Sequence, residues 1–167
     1  MKWKYRLNNM FDENSKDFLI QYLIQKPEEI ESLIKIMKVE EKTAWRAAWV
    51  LDHLNQNKPL LLKPHLKEIN TILKATEYNG VRRSLLKILI TNPCAKNDDG
   101  DLLDLCFQWI ASPSVPIAIR AHSMQFIVNL LPAYPELKNE FQLSLETAIH
   151  DESKGVSGKA RRILSSL

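Results

Sequence analysis

This chain is short of most features that fix a function outright. Four glycines in 167 residues are too few for a turn-rich sheet protein. No glycine-rich phosphate loop, nucleophile elbow or Cys–His arrangement can be assembled from it. Its two cysteines, Cys94 and Cys106, fit no zinc or redox spacing and cannot frame a disulfide scaffold. Cys106 sits in the apolar run Leu102–Ile110 and reads as a small core residue. His53, His65, His122 and His150 show no i, i+4 pairing, so no metal site is expected, and nothing calls for a cofactor. There is no stretch of 18 apolar residues, and the basic N-terminus leads into no apolar signal segment. A cytoplasmic protein without a membrane partner is expected. With 23 basic and 20 acidic residues, the net charge of +3 permits a nucleic-acid partner without requiring one.

What the chain does have is a period. Ala44–Leu54, Val81–Thr91, Ile119–Asn129 and Val156–Ser166 begin 37, 38 and 37 residues apart. From each start the core candidates return at offsets 0, 4 and 7, one face of an α-helix. They are Ala44, Ala48 and Leu51; Val81, Leu85 and Ile88; Ile119, Ser123 and Phe126; Val156, Ala160 and Ile163. A second amphipathic stretch precedes each: Ile30–Met37, Leu66–Leu73, Leu102–Trp109 and Phe141–Ile149. Short polar breaks (Lys38–Lys42, Thr76–Gly80, Ser112–Pro116 and Asp151–Gly155) make each pair an antiparallel hairpin.

Other punctuation agrees. Ser15 with Asp17 reads as an N-cap and first-turn acid, and Pro27 suits a first helical turn. Asn92-Pro93, Asp99-Gly100 and Pro132 through Pro135 mark further stops and starts. The reading is all-α, with about nine helices: a capping helix near Phe18–Ile24 and four hairpins. We take residues 1–167 as one domain, with an N-terminal segment and cap over 1–27 and repeats at about 28–56, 59–92, 99–131 and 135–167. One hairpin cannot cover its own apolar stripe; stacking hairpins in series covers it.

With period and stripe in place, the chain resembles the HEAT-repeat class of armadillo-like α-solenoids, over roughly Glu28–Leu167. Members place an apolar residue and then Arg early in the second helix, with an Asp in the preceding turn. Val81-Arg82 and Ile119-Arg120 match the first element, while Trp45 and Ser157 hold that Arg position in the other units. Asp151 matches the turn acid, where Val39, Thr76 and Ser114 stand elsewhere. No single unit carries both members of the acid–Arg pair. The resemblance implies a right-handed α-α superhelix with its second helices on the concave side. It also implies a binding scaffold, although the DNA-alkylation-repeat glycosylases are an enzymatic subset.

Candidate site residues come from the second-helix positions facing away from the stripe, at offsets 1, 2, 5 and 6. These include Arg46 and Trp49; Arg82, Arg83 and Lys87; Arg120; Arg161 and Arg162. Seven of the sixteen positions are cationic and none is acidic. A basic face of this kind suits an acidic protein segment, our first expectation, or a phosphate backbone. The competing reading is that these arginines bridge repeats or keep the face solvated. Trp45 and Trp49, one turn apart, either offer a stacking platform or pack against Phe18 or Tyr22 of the N-terminal helix.

The Trp49–Asp52–His53 cluster would suit a glycosylase holding a cationic base, but no second carboxylate supports that, and Asp52 reads as a surface or helix-end residue. The expected function is therefore a non-enzymatic scaffold. The alternative is a nucleic-acid-binding module resembling the alkylation-repeat proteins, up to and including a DNA glycosylase. A third reading is an assembly subunit using an apolar patch of Trp49, Leu86 and Met124. The sequence leaves the oligomeric state open.

Overall fold

The structure, a computed structural model, describes residues 1–11, 15–39 and 42–167. Every regular element among them is helical: α1 (Trp3–Asn8), α2 (Ser15–Gln25), α3 (Ile30–Lys38), α4 (Ala44–Asn57), α5 (Leu66–Ala75), α6 (Asn79–Thr91), α7 (Gly100–Ala111), α8 (Ile117–Leu130), α9 (Lys138–Ala148) and α10 (Lys154–Leu164). The four ruled segments fall on α4, α6, α8 and α10, the last running two residues past its helix, and their partners on α3, α5, α7 and α9, where Ile149 lies just past the end of α9. No described helix is long and apolar enough to cross a membrane.

Local chemistry explains the boundaries. Short 3-10 turns at Pro27–Glu29, Pro59–His65 and Pro135–Leu137 lead into α3, α5 and α9. Proline has no N–H to give the preceding helix, and its fixed φ suits a first turn. The helix α7 is capped instead by Asp99, whose carboxylate accepts from the Leu102 amide at 3.1 Å, and α10 by Ser153, whose hydroxyl accepts from the Val156 amide at 3.4 Å.

All twelve positions of the expected stripe are buried, with Ile163 the most open at 8%. Each large aliphatic among them contributes roughly 1.5–3 kcal/mol on burial. Ser123 is accommodated because its hydroxyl donates to the Ile119 carbonyl at 2.8 Å.

The chain divides into two compact units, Met1–Ala95 and Lys96–Leu167. In the first, α3/α4 and α5/α6 form hairpins, with α4 packed on α6, α3 on α5, and α2 against α4. In the second, α7/α8 and α9/α10 form hairpins, with α8 on α10 and α7 on α9. Second helix meets second helix closely. A Cβ on Gly80 would lie 2.8 Å from the Trp45 Cβ, and one on Gly155 would lie 2.7 Å from the Ile117 Cγ2. Only hydrogen fits at both places.

Two details differ from expectation. A tenth helix, α1, precedes the cap and is held by buried Trp3, with buried Leu7 and with Met10 just beyond its end. Ser15 is the first residue of α2 rather than its N-cap. Part of the first polar break, Glu40 and Glu41, lies outside the described residues.

Candidate functional site

In the first unit the cationic positions sit on α4 and α6, and most have work within the fold. The Arg46 Nη1 donates to the carbonyls of Leu7 and Asn8, both at 3.2 Å, and to the Asn8 Oδ1 at 2.9 Å. These acceptors lie at the C-terminal end of α1, where carbonyls lack helical partners. The same guanidinium lies 5.3 Å from the Trp45 ring centroid and 5.7 Å from that of Phe11. Phe11 is stacked on Trp45 (5.9 Å, 25°) and tilted against Trp49 at 6.1 Å.

Among the described residues the N-terminal ring that pairs with both tryptophans is therefore Phe11, and no ring pair joins them to Phe18 or Tyr22. Those two residues stack on each other along α2, with Arg6 over Phe18 and Trp3 edge-on to Tyr22.

Asp52 is not a surface residue, because its side chain is buried in the α4–α6 contact. Its Oδ2 pairs with the Lys87 Nζ at 2.8 Å, and its Oδ1 accepts from the Gln56 Nε2 at 3.3 Å. Lys87 is thereby a cross-helix partner. His53 stands edge-on to Trp49 at 4.0 Å. Burial pushes its pKa down, helped by Lys16 and Lys87 and opposed by Asp52 and Asp17.

A second polar contact joins the same helices. The Asn92 Nδ2 donates to the Asn55 Oδ1 at 2.7 Å and to the Pro59 carbonyl at 2.9 Å, while the Asn55 Nδ2 donates to the Thr91 Oγ1 at 2.8 Å. Arg82 fastens the start of α6, donating from Nη2 to the Thr76 carbonyl at 2.7 Å. Burial lowers its pKa, with Glu77 opposing. Arg83 is exposed and in no ion pair among the described residues.

In the second unit, Arg120 is only 4% exposed, which corrects its expected place on an open face. Its Nε and Nη2 donate to the Ile110 carbonyl at 3.0 and 2.9 Å, and Nη2 also reaches the Asp151 Oδ2 at 2.6 Å. Arg161 and Arg162 on α10 are exposed. Arg161 donates to the Ile149 carbonyl at 3.1 Å and Arg162 to the Gly158 carbonyl at 3.3 Å, which leaves donors of each guanidinium uncommitted. Lys159, on the same helix, donates to the Gln125 Oε1 at 2.8 Å, and burial, then Arg162, lowers its pKa.

The apolar assembly patch does not exist at the surface, because Leu86 and Met124 are each 0% exposed. Among the described residues, no three His, Cys, Asp or Glu side chains converge to hold a metal ion.

Stacked helical hairpins with a degenerate acid–Arg bond define a helical-repeat scaffold. The chain belongs to the HEAT repeat domain family, whose profile matches residues 3–167 and so takes in α1 and α2, upstream of Glu28. HEAT repeats typically mediate protein interactions. No curated protein and no solved structure matches the chain.

Proposed function

We propose that the protein is a non-enzymatic scaffold that receives acidic protein segments, each unit doing so on the outward positions of its own second helices. The observation that carries this reading is the one-sided charge of those positions: seven cations and no acid in a chain of nearly balanced charge. Arg83 in the first unit, with Arg161 and Arg162 in the second, are the exposed members. Arginine suits the task because its planar fork meets carboxylates with two parallel hydrogen bonds. Arg46, Arg82 and Lys87 in the first unit are half-exposed and Arg120 in the second is buried, and each is bound to groups of its own unit.

A fluorescent glutamate-rich peptide titrated against the protein tests this. Binding should weaken with salt, and reversing Arg83, Arg161 and Arg162 to Glu together should reduce affinity by about tenfold or more. Unchanged binding overturns the proposal. A DNA duplex is the comparison arm. The nucleic-acid alternative requires log affinity to fall with log salt at close to one unit per phosphate contact. The glycosylase variant of that reading is disfavoured by Asp52, whose carboxylate is already committed to Lys87 and Gln56.

A further inference from the structure

We propose that Trp45, Trp49 and Arg46 form a seat for an aromatic side chain that is followed by acidic residues, and that Phe11 occupies this seat as an internal stand-in. The inference rests on the scaffold reading and narrows its partner to a peptide with an aromatic anchor. Three observations converge on it.

The first is how exposed Phe11 remains. Trp3, Leu7 and Met10 are buried and fix α1 to the core, whereas Phe11 stays 63% exposed although it touches two indoles. The division between anchored and peripheral residues thus falls between Met10 and Phe11. On this proposal Phe11 leaves the seat while buried Trp3, Leu7 and Met10 keep α1 in place.

The second is the chemistry of the seat. Two indole rings one helical turn apart supply flat apolar area, and the Arg46 guanidinium stands beside the ring that rests on them. The Arg46 Nε is buried and makes no hydrogen bond among the described residues, so one donor of the seat is unspent. The other donors hold α1 in place and keep the arginine aimed.

The third is the occupant's own sequence. Phe11 is followed directly by Asp12 and Glu13. The chain thus carries in its sequence, directly after the occupant, the aromatic–acidic signature that complements a tryptophan pair with an arginine. A partner bearing the same signature competes with Phe11. Because the stand-in is tethered, its effective concentration is on the order of millimolar, which sets the handicap the partner must overcome.

The test uses the full chain and a synthetic peptide with the sequence of residues 11–15, Phe-Asp-Glu-Asn-Ser, followed by the indole N–H signals in NMR. Phe11→Ala should bind the peptide about tenfold more tightly than the wild type, with Trp45 and Trp49 shifting. A peptide with Ala for its Phe should not bind, and adding Trp49→Ala should abolish the gain. Phe11→Leu, which keeps apolar bulk without a ring to stack, guards against a fold defect in the alanine variant and should show the same direction of change. Equal peptide affinity for wild type and both variants, or no binding by any, overturns the proposal. So does concentration-dependent self-association of Phe11→Ala that saturates the tryptophans, since the occupant would then be a second copy. The two readings fail separately. Loss of the Phe11→Ala gain with charge-reversal sensitivity intact removes only this one, whereas the gain without charge-reversal sensitivity removes Arg83, Arg161 and Arg162 as the acidic contact and leaves a scaffold that binds through its aromatic seat.

Discussion

Arg120 and Asp151 stand 31 positions apart in the chain and 2.6 Å apart in space. The arginine belongs to the α7/α8 hairpin, and the aspartate to the turn that joins α9 to α10. The acid–Arg pair that no single repeat contains is therefore made between consecutive repeats. Asp151 is further fixed by accepting from the Ser153 amide at 2.9 Å, and Arg120 by its two bonds to Ile110. With its polar neighbours satisfied, the buried charge is tolerated.

Removing Arg120 should therefore be costly. Arg120→Ala is expected to lose about 3 kcal/mol in urea unfolding, and Arg120→Lys to recover less than half, since an ammonium cannot reproduce the fork. Arg120, then the Ser153 amide, holds the Asp151 pKa below its ordinary 3.8. Its stabilisation is complete above that value and disappears as pH falls through the lower folded value. The gap between wild type and Arg120→Ala should accordingly narrow in acid.

The Asp52–Lys87 bridge makes a coupling prediction. Lys87→Met leaves a buried carboxylate facing an apolar chain and should cost about 2 kcal/mol, less than a fully buried pair because Lys87 is partly exposed. Adding Asp52→Asn should restore part of that loss, giving a double-mutant coupling on the order of 1 kcal/mol. Strict additivity would show that the bridge is not an energetic unit.

Gly80 and Gly158 should respond in opposite directions to the same substitution. Gly80→Ala drives a methyl into the Trp45 Cβ and should cost about 2 kcal/mol, with altered indole fluorescence. Gly158 lies inside α10 with nothing within 4 Å of an added Cβ, so Gly158→Ala should stabilise by about 0.5–1 kcal/mol. Thermal melts of the two variants decide this.

The N-terminal helix should be acid-sensitive. Glu29 is held down to about 2, first by the Trp3 indole N–H at 2.7 Å, then by the Met1 ammonium and the Tyr22 hydroxyl. This attachment is at full strength above the ordinary glutamate value of 4.5 and is lost as pH falls towards 2. Near-ultraviolet circular dichroism should follow the release of Trp3. In Glu29→Gln the transition should be absent.

Thiol labelling is a direct check on packing. Cys106 is buried, and burial pushes its thiol up to about 12, while Cys94 is half-exposed. One thiol per native chain should react with a disulfide reagent, and two after unfolding.

The core of every hairpin was legible because one stripe at offsets 0, 4 and 7 repeats four times, and burial follows it without exception. The outward face was legible only in part. Each second helix has two neighbours, its own first helix and the second helix stacked beside it, so it needs a second buried strip that the single stripe does not mark. Leu86 and Met124 fall in that strip, while Arg161, at the same offset in α10, stays open. Arg120 and Asp52 were misplaced because a formal charge does not reveal partners 10, 31 or 35 residues away. The helix α1 escaped because six residues are too few to show a period, although Trp3, Leu7 and Met10 carry the i, i+4, i+7 signature of its buried side.

Pro27, Pro59 and Pro135 each open the short turn that starts the first helix of a hairpin. At three of the four hairpins, then, the bend is written into a locked torsion ahead of any packing. The interval from Pro27 to Pro59 is thus a cassette of one hairpin, and that from Pro59 to Pro135 a cassette of two. Lengthening such a protein would mean splicing in another cassette whole, with no need to redraft the corners on either side.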